Sequence, residues 1–191
     1  CTAKLISKQT GVFCGELIIN ACATIAGDDM RPQVHVKDGQ SISNKMVLAE
    51  LMGHGSSLLR IERVMLNFIQ RLSGIATITR QFVTALNNPN IQVLDTRKTT
   101  PGLRLFEKFA VAVGGGTNHR FSLQDAVMIK DNHLMGNSDI LKIVSQARAS
   151  NPNADIQIEV DTRDQLDVAL ESDATSILLD NFTPETLPDV L

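Results

Sequence analysis

Cations crowd one window of an acidic chain. Between Val93 and His133 stand Arg97, Lys98, Arg104, Lys108, Arg120 and Lys130, with Glu107, Asp125 and Asp131 among the acids of the window. The 191-residue chain as a whole carries a net charge of -3. Such a local cluster on an acidic protein points to a small polyanionic substrate rather than to nucleic acid. Further on, the balance reverses. From Asp155 to Asp180 the charged residues are Asp155, Glu159, Asp161, Asp164, Asp167, Glu171, Asp173 and Asp180, against Arg163 alone. Cations on one arc and carboxylates on another suit a polyanion that arrives with a hard divalent cation. Mg²⁺ takes oxygen ligands, often one or two carboxylates completed by substrate phosphates and water. Glu159 and Asp180 are the expected metal-facing acids; the plain alternative is that they pair with neighbouring lysines.

These residues stand at the ends of short apolar runs. Ile91–Leu94 leads into Asp95-Thr96-Arg97-Lys98, Ala126–Ile129 into Lys130-Asp131-Asn132-His133, Ile156–Val160 brackets Glu159, and Ser176–Leu179 leads into Asp180. Helical patterns separate the runs, over 103–113, 140–149 and 163–171, with another expected from Pro184 onward. Parallel strands alternating with helices, with charges at each strand's end, fit an α/β protein whose site lies at the C-terminal edge. No G-x-G-x-x-G follows the first strand, which favours a barrel over an open dinucleotide-binding sheet. Gly114-Gly115-Gly116 is followed by no Gly-Lys-Ser/Thr and is not a P-loop. It reads either as a backbone approach to an anion or as a turn that delivers Asn118-His119-Arg120.

Residues 1–61 read as a separate small α+β unit. Strands are expected at 2–7, 33–37, 46–52 and 57–61, and a helix at 16–25. His35 and His54 lack a second metal-type residue at useful spacing and read as structural. From Glu62 a long helix is expected, with Met65, Phe68, Ile69, Leu72, Ile75, Ala76, Phe82 and Leu86 on one stripe, ending at Asn87-Asn88-Pro89. On that reading Arg63 sits in the first turn, where the helix dipole disfavours a cation, so it would be there for an anion. The domains expected are thus 1–61 and 62–191.

Composition bounds the class. Hydrophobic residues make up 43% and charged residues 20%, with neither Trp nor Tyr, so Phe and aliphatic side chains must fill the cores. No apolar run approaches the ~20 residues of a membrane span. Cys1, Cys14 and Cys22 are odd in number and form no C-x-x-C pair. They read as incidental thiols in a reducing, cytoplasmic setting.

The set DTRKTTPGLR (95–104), GGGTNHR (114–120), IKDNH (129–133), IEVDT (158–162) and LLDNF (178–182) resembles the quinolinate phosphoribosyltransferase family, the nicotinate-nucleotide pyrophosphorylases. ERVMLNFIQRLSGIAT (62–77) and GVFCG (11–15) extend the resemblance over nearly the whole chain. It implies an N-terminal α/β sandwich domain followed by an incomplete, TIM-like α/β barrel. It implies transfer of a phosphoribosyl group from phosphoribosyl pyrophosphate to quinolinate, with Mg²⁺, giving nicotinate mononucleotide, pyrophosphate and CO₂ for NAD biosynthesis. It implies a homodimer, or an assembly of dimers, with shared active sites. By motif, Arg97, His119, Arg120 and Lys130 resemble the quinolinate-binding set, and Arg63 the arginine that reaches a partner subunit's site. Lys98, Glu159 and Asp180 resemble the group serving phosphoribosyl pyrophosphate and its metal. Lys98, Lys130, Glu159 and Asp180 are the expected catalytic residues. The family's later phosphate-binding motifs are absent before Leu191, so the sequence reads as part of a barrel truncated at its C-terminus.

Rival readings stay open at this point. A family member acting on another pyridine or base would differ by a few side chains. A barrel aldolase would use Lys98 or Lys130 as a Schiff-base nucleophile. A non-catalytic phosphate-binding module explains the cations but not the carboxylates at the later strand ends.

Overall fold

A buried stripe on one long helix organises the first half of the chain. In the computed structural model, which describes residues 1–27, 29–120, 127–130 and 139–189, the chain forms two compact units, 1–119 and 120–191. In the first, helix α2 runs from Gly55 to Leu86, 32 residues, and buries Ile61, Met65, Ile69, Leu72, Ala76 and Thr79. Their spacing of three or four residues puts them on one face. Each fully buried Ile, Leu or Met side chain on that stripe contributes roughly 1.5–3 kcal/mol. The helix ends at Asn87, which takes a left-handed conformation with φ 43; Asn tolerates that region better than most residues.

Against α2 pack an antiparallel sheet and helix α1 (Glu16–Ala26). The sheet has the order β1-β5-β3, built from β1 (Thr2–Ile6), β3 (Arg31–Val34) and β5 (Val47–Met52). A two-residue ladder, β2 (Gly11–Val12) with β4 (Ser41–Ile42), lies beside it in sequence. Phe13, Ile19, Leu48, Ala49 and Leu51 join the α2 stripe in one core. Helix α3 (Arg104–Gly114) packs on α2 and ends where Arg80 donates from Nε to the Gly114 carbonyl at 2.8 Å. Cys14 and Cys22 are buried in this core, and all three cysteines are free thiols. Burial, with the nearby Asp38 charge, pushes the Cys14 thiol up to about 12.

The second unit is α/β with a parallel sheet. Strands β6 (Val127–Ile129), β7 (Ile156–Val160) and β8 (Ser176–Leu179) lie in that order. Helices α4 (Ile140–Ser150) and α5 (Arg163–Leu170) cover one face through Ile140, Val144, Leu166 and Ala169. Their caps follow ordinary chemistry: the Asp139 and Thr162 side chains accept from the backbone N–H groups of Lys142 and Gln165.

Several local expectations change. Residues 57–61 are helix, not strand, because Leu58 and Ile61 extend the α2 stripe and Leu58 N–H already bonds the His54 carbonyl at 3.1 Å. Position 62 therefore lies inside α2, and Arg63 sits in its third turn rather than its first. At that position Arg63 lies outside the N-terminal field of the helix, which falls off within one turn. Residues 91–95 form no extended strand; Leu94 makes a single parallel bridge with Thr117. The turn at Asn88, whose carbonyl accepts from Ile91 N–H, delays extended pairing until Val93. Beyond Pro184 the described residues hold only a short 3-10 turn, Leu187–Asp189. Ala126 and Asp131-Asn132-His133 of the expected motifs lie outside the described residues.

Candidate functional site

The parallel sheet of the second unit sorts its side chains by parity. Ile129, Ile156, Ile158 and Val160 face the helices and are buried. The register sets Ile129 against Ile158 and Glu159 against Leu178. Met128, Lys130, Glu159, Leu178 and Asp180 therefore belong to the other face, which no described helix of this unit covers. Lys130 Nζ lies 3.2 Å from Glu159 Oε2, with 42% and 11% of the two side chains exposed. Asp180 follows β8 and its N–H donates to the Val160 carbonyl at 3.0 Å, which fixes it at the strand end. The Arg120 guanidinium donates from Nη2 to Met128 Sδ at 2.9 Å and so reaches the same face. Four residues singled out from sequence are thus brought to one sheet face. Just beyond the strand ends, Asn181 has φ 61 and donates from Nδ2 to Asp161 Oδ1 at 3.1 Å.

In the first unit the remaining expected residues sit on two loops held by α3. Arg97 and Lys98 lie on the 95–103 loop, half-buried and exposed respectively. The loop is tied at three places. Arg104 donates to Thr99 Oγ1 at 3.2 Å and to the Arg97 carbonyl at 3.3 Å. Glu107 Oε2 accepts from Thr100 N–H at 3.2 Å. Arg71, on α2, donates from Nε to Glu107 Oε1 at 2.8 Å and also reaches Thr100 Oγ1. Burial alone would raise the Glu107 carboxyl; the hydrogen bonds from Arg71 and Thr100 outweigh it and hold the group below its ordinary value of 4.5.

His119 belongs to the second loop, 114–119. Glycines 114 and 116 are there for close packing. A Cβ on Gly114 would come within 2.6 Å of the Ala76 carbonyl oxygen, and one on Gly116 within 2.7 Å of Val111 Cγ1. Only Gly115, with φ 97, uses a left-handed backbone. The turn reading of the triplet fits this geometry. Sequence reasoning weighs Lys108 as one more cation and gives Asp95 no role. The structure corrects this: Lys108 is fully buried and paired with Asp95, whose side chain is 5% exposed. A charge enclosed with its counter-ion adds nothing to a substrate-attracting field. Asp95, Glu107 and Arg71 are the structural residues that sequence reasoning misses; the one available signal was an i, i+1 acid–base pair, Glu107-Lys108, set among apolar residues over 105–113.

Arg63 is exposed on α2. Among the described residues no cluster of three or more His, Cys, Asp or Glu side chains could hold a metal ion. Glu159 is paired with Lys130, the plain alternative to a metal-facing role, and both it and Asp180 carry the oxygen ligands that Mg²⁺ takes.

Comparison with known proteins bears on the family and the overall fold. The domain model described as quinolinate phosphoribosyl transferase, C-terminal domain, matches residues 75–191, and the N-terminal domain model matches residues 1–73. The chain belongs to the quinolinate phosphoribosyl transferase family. A probable nicotinate-nucleotide pyrophosphorylase [carboxylating] of Bacillus subtilis (strain 168) is 45% identical over 188 residues, covering 98% of this chain and 65% of the relative. The nicotinate-nucleotide pyrophosphorylase [carboxylating] of Mycobacterium leprae (strain TN) is 37% identical over 183 residues, 95% of this chain and 64% of the relative. The chain thus spans just under two thirds of the length of these curated relatives. The crystal structure of NadC from Streptococcus pyogenes superposes with a TM-score of 0.92 at 41% identity, covering 99% of this chain and 67% of that one. The expected α/β architecture, an N-terminal sheet domain followed by α/β barrel elements, is that of these family members.

Proposed function

We propose that the protein carrying this chain is a quinolinate phosphoribosyltransferase. It transfers the phosphoribosyl group of phosphoribosyl pyrophosphate to the nitrogen of quinolinate, releasing pyrophosphate and CO₂ and leaving nicotinate mononucleotide. The observation that carries this reading is the shared sheet face of Arg120, Lys130, Glu159 and Asp180. The names of the relatives support it.

The chemistry suits the residues. Quinolinate carries two adjacent carboxylates, which match the planar fork of arginine, here Arg97 and Arg120, with Lys130 and His119 as further donors. Loss of pyrophosphate from the anomeric carbon builds positive charge on the ribose ring. Carboxylates at Glu159 and Asp180 stabilise that charge, and Lys98 stabilises the departing anion. Glu159 and Asp180 are also the residues that would hold Mg²⁺, which supplies charge neutralisation at the phosphates when bound. After CO₂ leaves, the electron pair stays on the ring carbon beside the cationic nitrogen, and that carbon takes up a proton. We place Arg63 in a neighbouring subunit's site within a homodimer or an assembly of dimers, and the enzyme in the cytoplasm, where free thiols persist. Among the described residues no helix is long and apolar enough to cross a membrane.

The test is formation of nicotinate mononucleotide from quinolinate by the intact protein, with nicotinate as the competing substrate. Product from nicotinate but not from quinolinate would shift the reading to a related transferase for another pyridine. The aldolase alternative would use Lys98 or Lys130 as a Schiff-base nucleophile. Borohydride trapping with a carbonyl substrate should leave no adduct.

A further inference from the structure

One enclosed ion pair holds the backbone of a single candidate binding residue from both sides. The Lys108 ammonium, paired with Asp95, also donates to the His119 carbonyl at 3.0 Å. The His119 N–H donates to Asp95 Oδ1 at 2.9 Å. The peptide groups flanking His119 are therefore clamped by opposite charges that are themselves bonded to each other. The Asn118 amide, oriented so that its nitrogen rather than its oxygen meets the acceptors, completes the cage by donating to the Lys108 carbonyl at 2.9 Å and to Asp95 Oδ2 at 2.7 Å. Two residues earlier, the loop is tied by plain backbone bonds, from Thr117 N–H to the Val93 carbonyl at 2.8 Å and from Asp95 N–H to the Thr117 carbonyl at 3.2 Å.

We propose that Asp95 and Lys108 are positioning residues that fix the His119 backbone for binding of the pyridine dicarboxylate. The inference rests on the function proposed above and adds residues that touch no substrate. A buried ion pair is a poor way to gain stability, because desolvation of two charges offsets most of their attraction. It is a good way to define one geometry, since a slipped loop would leave a charge buried without its partners. Catalytic rates and substrate affinities are sensitive to displacements of about 1 Å at such loops. The neighbouring Glu107 faces the other loop, through Thr100, and is not part of this clamp.

The experiment uses the intact protein and the double variant Asp95→Asn/Lys108→Met, which removes both charges and leaves neither buried alone. The KM for quinolinate should rise about tenfold or more while the KM for phosphoribosyl pyrophosphate stays within about twofold, the pattern of a misplaced binding loop. Amide hydrogen exchange at His119 should accelerate, with Thr117, bonded to Val93, as the internal reference. A folded double variant with wild-type quinolinate KM, or one that loses both substrates equally, overturns the proposal. Should the double variant not fold, Asp95→Glu, which keeps both charges and shifts the carboxylate by one methylene, should show the same split in smaller measure, and absence of a split overturns it. Should wild type not use quinolinate at all, the functional reading falls, and His119 exchange decides the clamp by itself: acceleration supports it and no change removes it.

Discussion

Lys130 Nζ lies 3.2 Å from Glu159 Oε2 across adjacent parallel strands, so a residue expected at quinolinate and one expected at the ribose are direct neighbours. In the proposed reaction Glu159 would stand between the lysine that holds the acceptor and the ring that develops charge. Replacing it by Gln keeps its shape and removes that charge. Glu159→Gln, and likewise Asp180→Asn, should lower kcat by about 10²-fold, the usual cost of losing one electrostatic stabiliser. Both should also raise the Mg²⁺ concentration needed for half-maximal rate. Normal rates at normal metal concentration in both variants would make the pair structural.

Arg120→Ala should weaken quinolinate far more than phosphoribosyl pyrophosphate. Removing one partner of a desolvated charge pair costs roughly 2–5 kcal/mol. The Arg120 guanidinium lies against Met128, on the sheet face that also carries the Lys130–Glu159 pair. Separate KM measurements for the two substrates check the asymmetry.

Strand parity explains which parts of the site were legible in the sequence. Residues 156–160 alternate buried and half-exposed side chains, so Glu159 could be set on one face from pattern alone, and Lys130 and Asp180 followed as strand-end charges. The loops of the first unit were not legible in the same way. Nothing in periodicity distinguishes an exposed Lys98 from an enclosed Lys108 ten residues on. That difference is made by tertiary packing, which brings Asp95 and the His119 peptide to one ammonium. The helix start at Gly55 was missed for a related reason: Ser57–Ile61 is a short apolar run whose type periodicity alone does not decide, and Leu58 and Ile61 take their place in the core as part of α2.

The glycine triplet gives a stability prediction. Gly114→Ala would press a methyl group against the Ala76 carbonyl oxygen and Thr79 Cβ, both 2.6 Å away, where α3 meets α2. Backbone oxygen cannot swing aside as a flexible side chain can. The variant should lose about 1–3 kcal/mol, as overpacked sites do. Gly102→Ala meets no neighbouring atom within 4 Å, but its φ of 77 makes the strain local and the expected loss smaller. Urea unfolding of the two variants compares them directly.

Glu107 gives a pH prediction. Its carboxyl is held below its ordinary value in the folded protein, so its ionised form stabilises the fold above the unfolded value, near 4.5. That contribution is lost as the pH falls through the lower, folded value. Wild type should therefore lose stability as the pH falls from the ordinary carboxylate value through the lower, folded value more steeply than Glu107→Gln, which has no proton to bind there. Parallel thermal unfolding profiles for the two proteins across that window would show that Glu107 contributes nothing to the acid sensitivity.

Arg63 tests the shared site. The residue is exposed in the third turn of α2, so no helix-dipole argument explains it, and its resemblance to a family residue that serves a partner subunit remains. Arg63→Ala and Lys130→Ala should each be inactive. When they are mixed under conditions that exchange subunits, a mixed dimer has one site with both defects and one with neither. Random mixing makes half of the dimers mixed, so activity should return to about a quarter of wild type. If both residues served the same subunit's site, every site would carry one defect and mixing would restore nothing. Absence of recovery, with exchange confirmed by mass spectrometry of differently labelled subunits, would return Arg63 to the exposed surface as an ordinary solvated arginine.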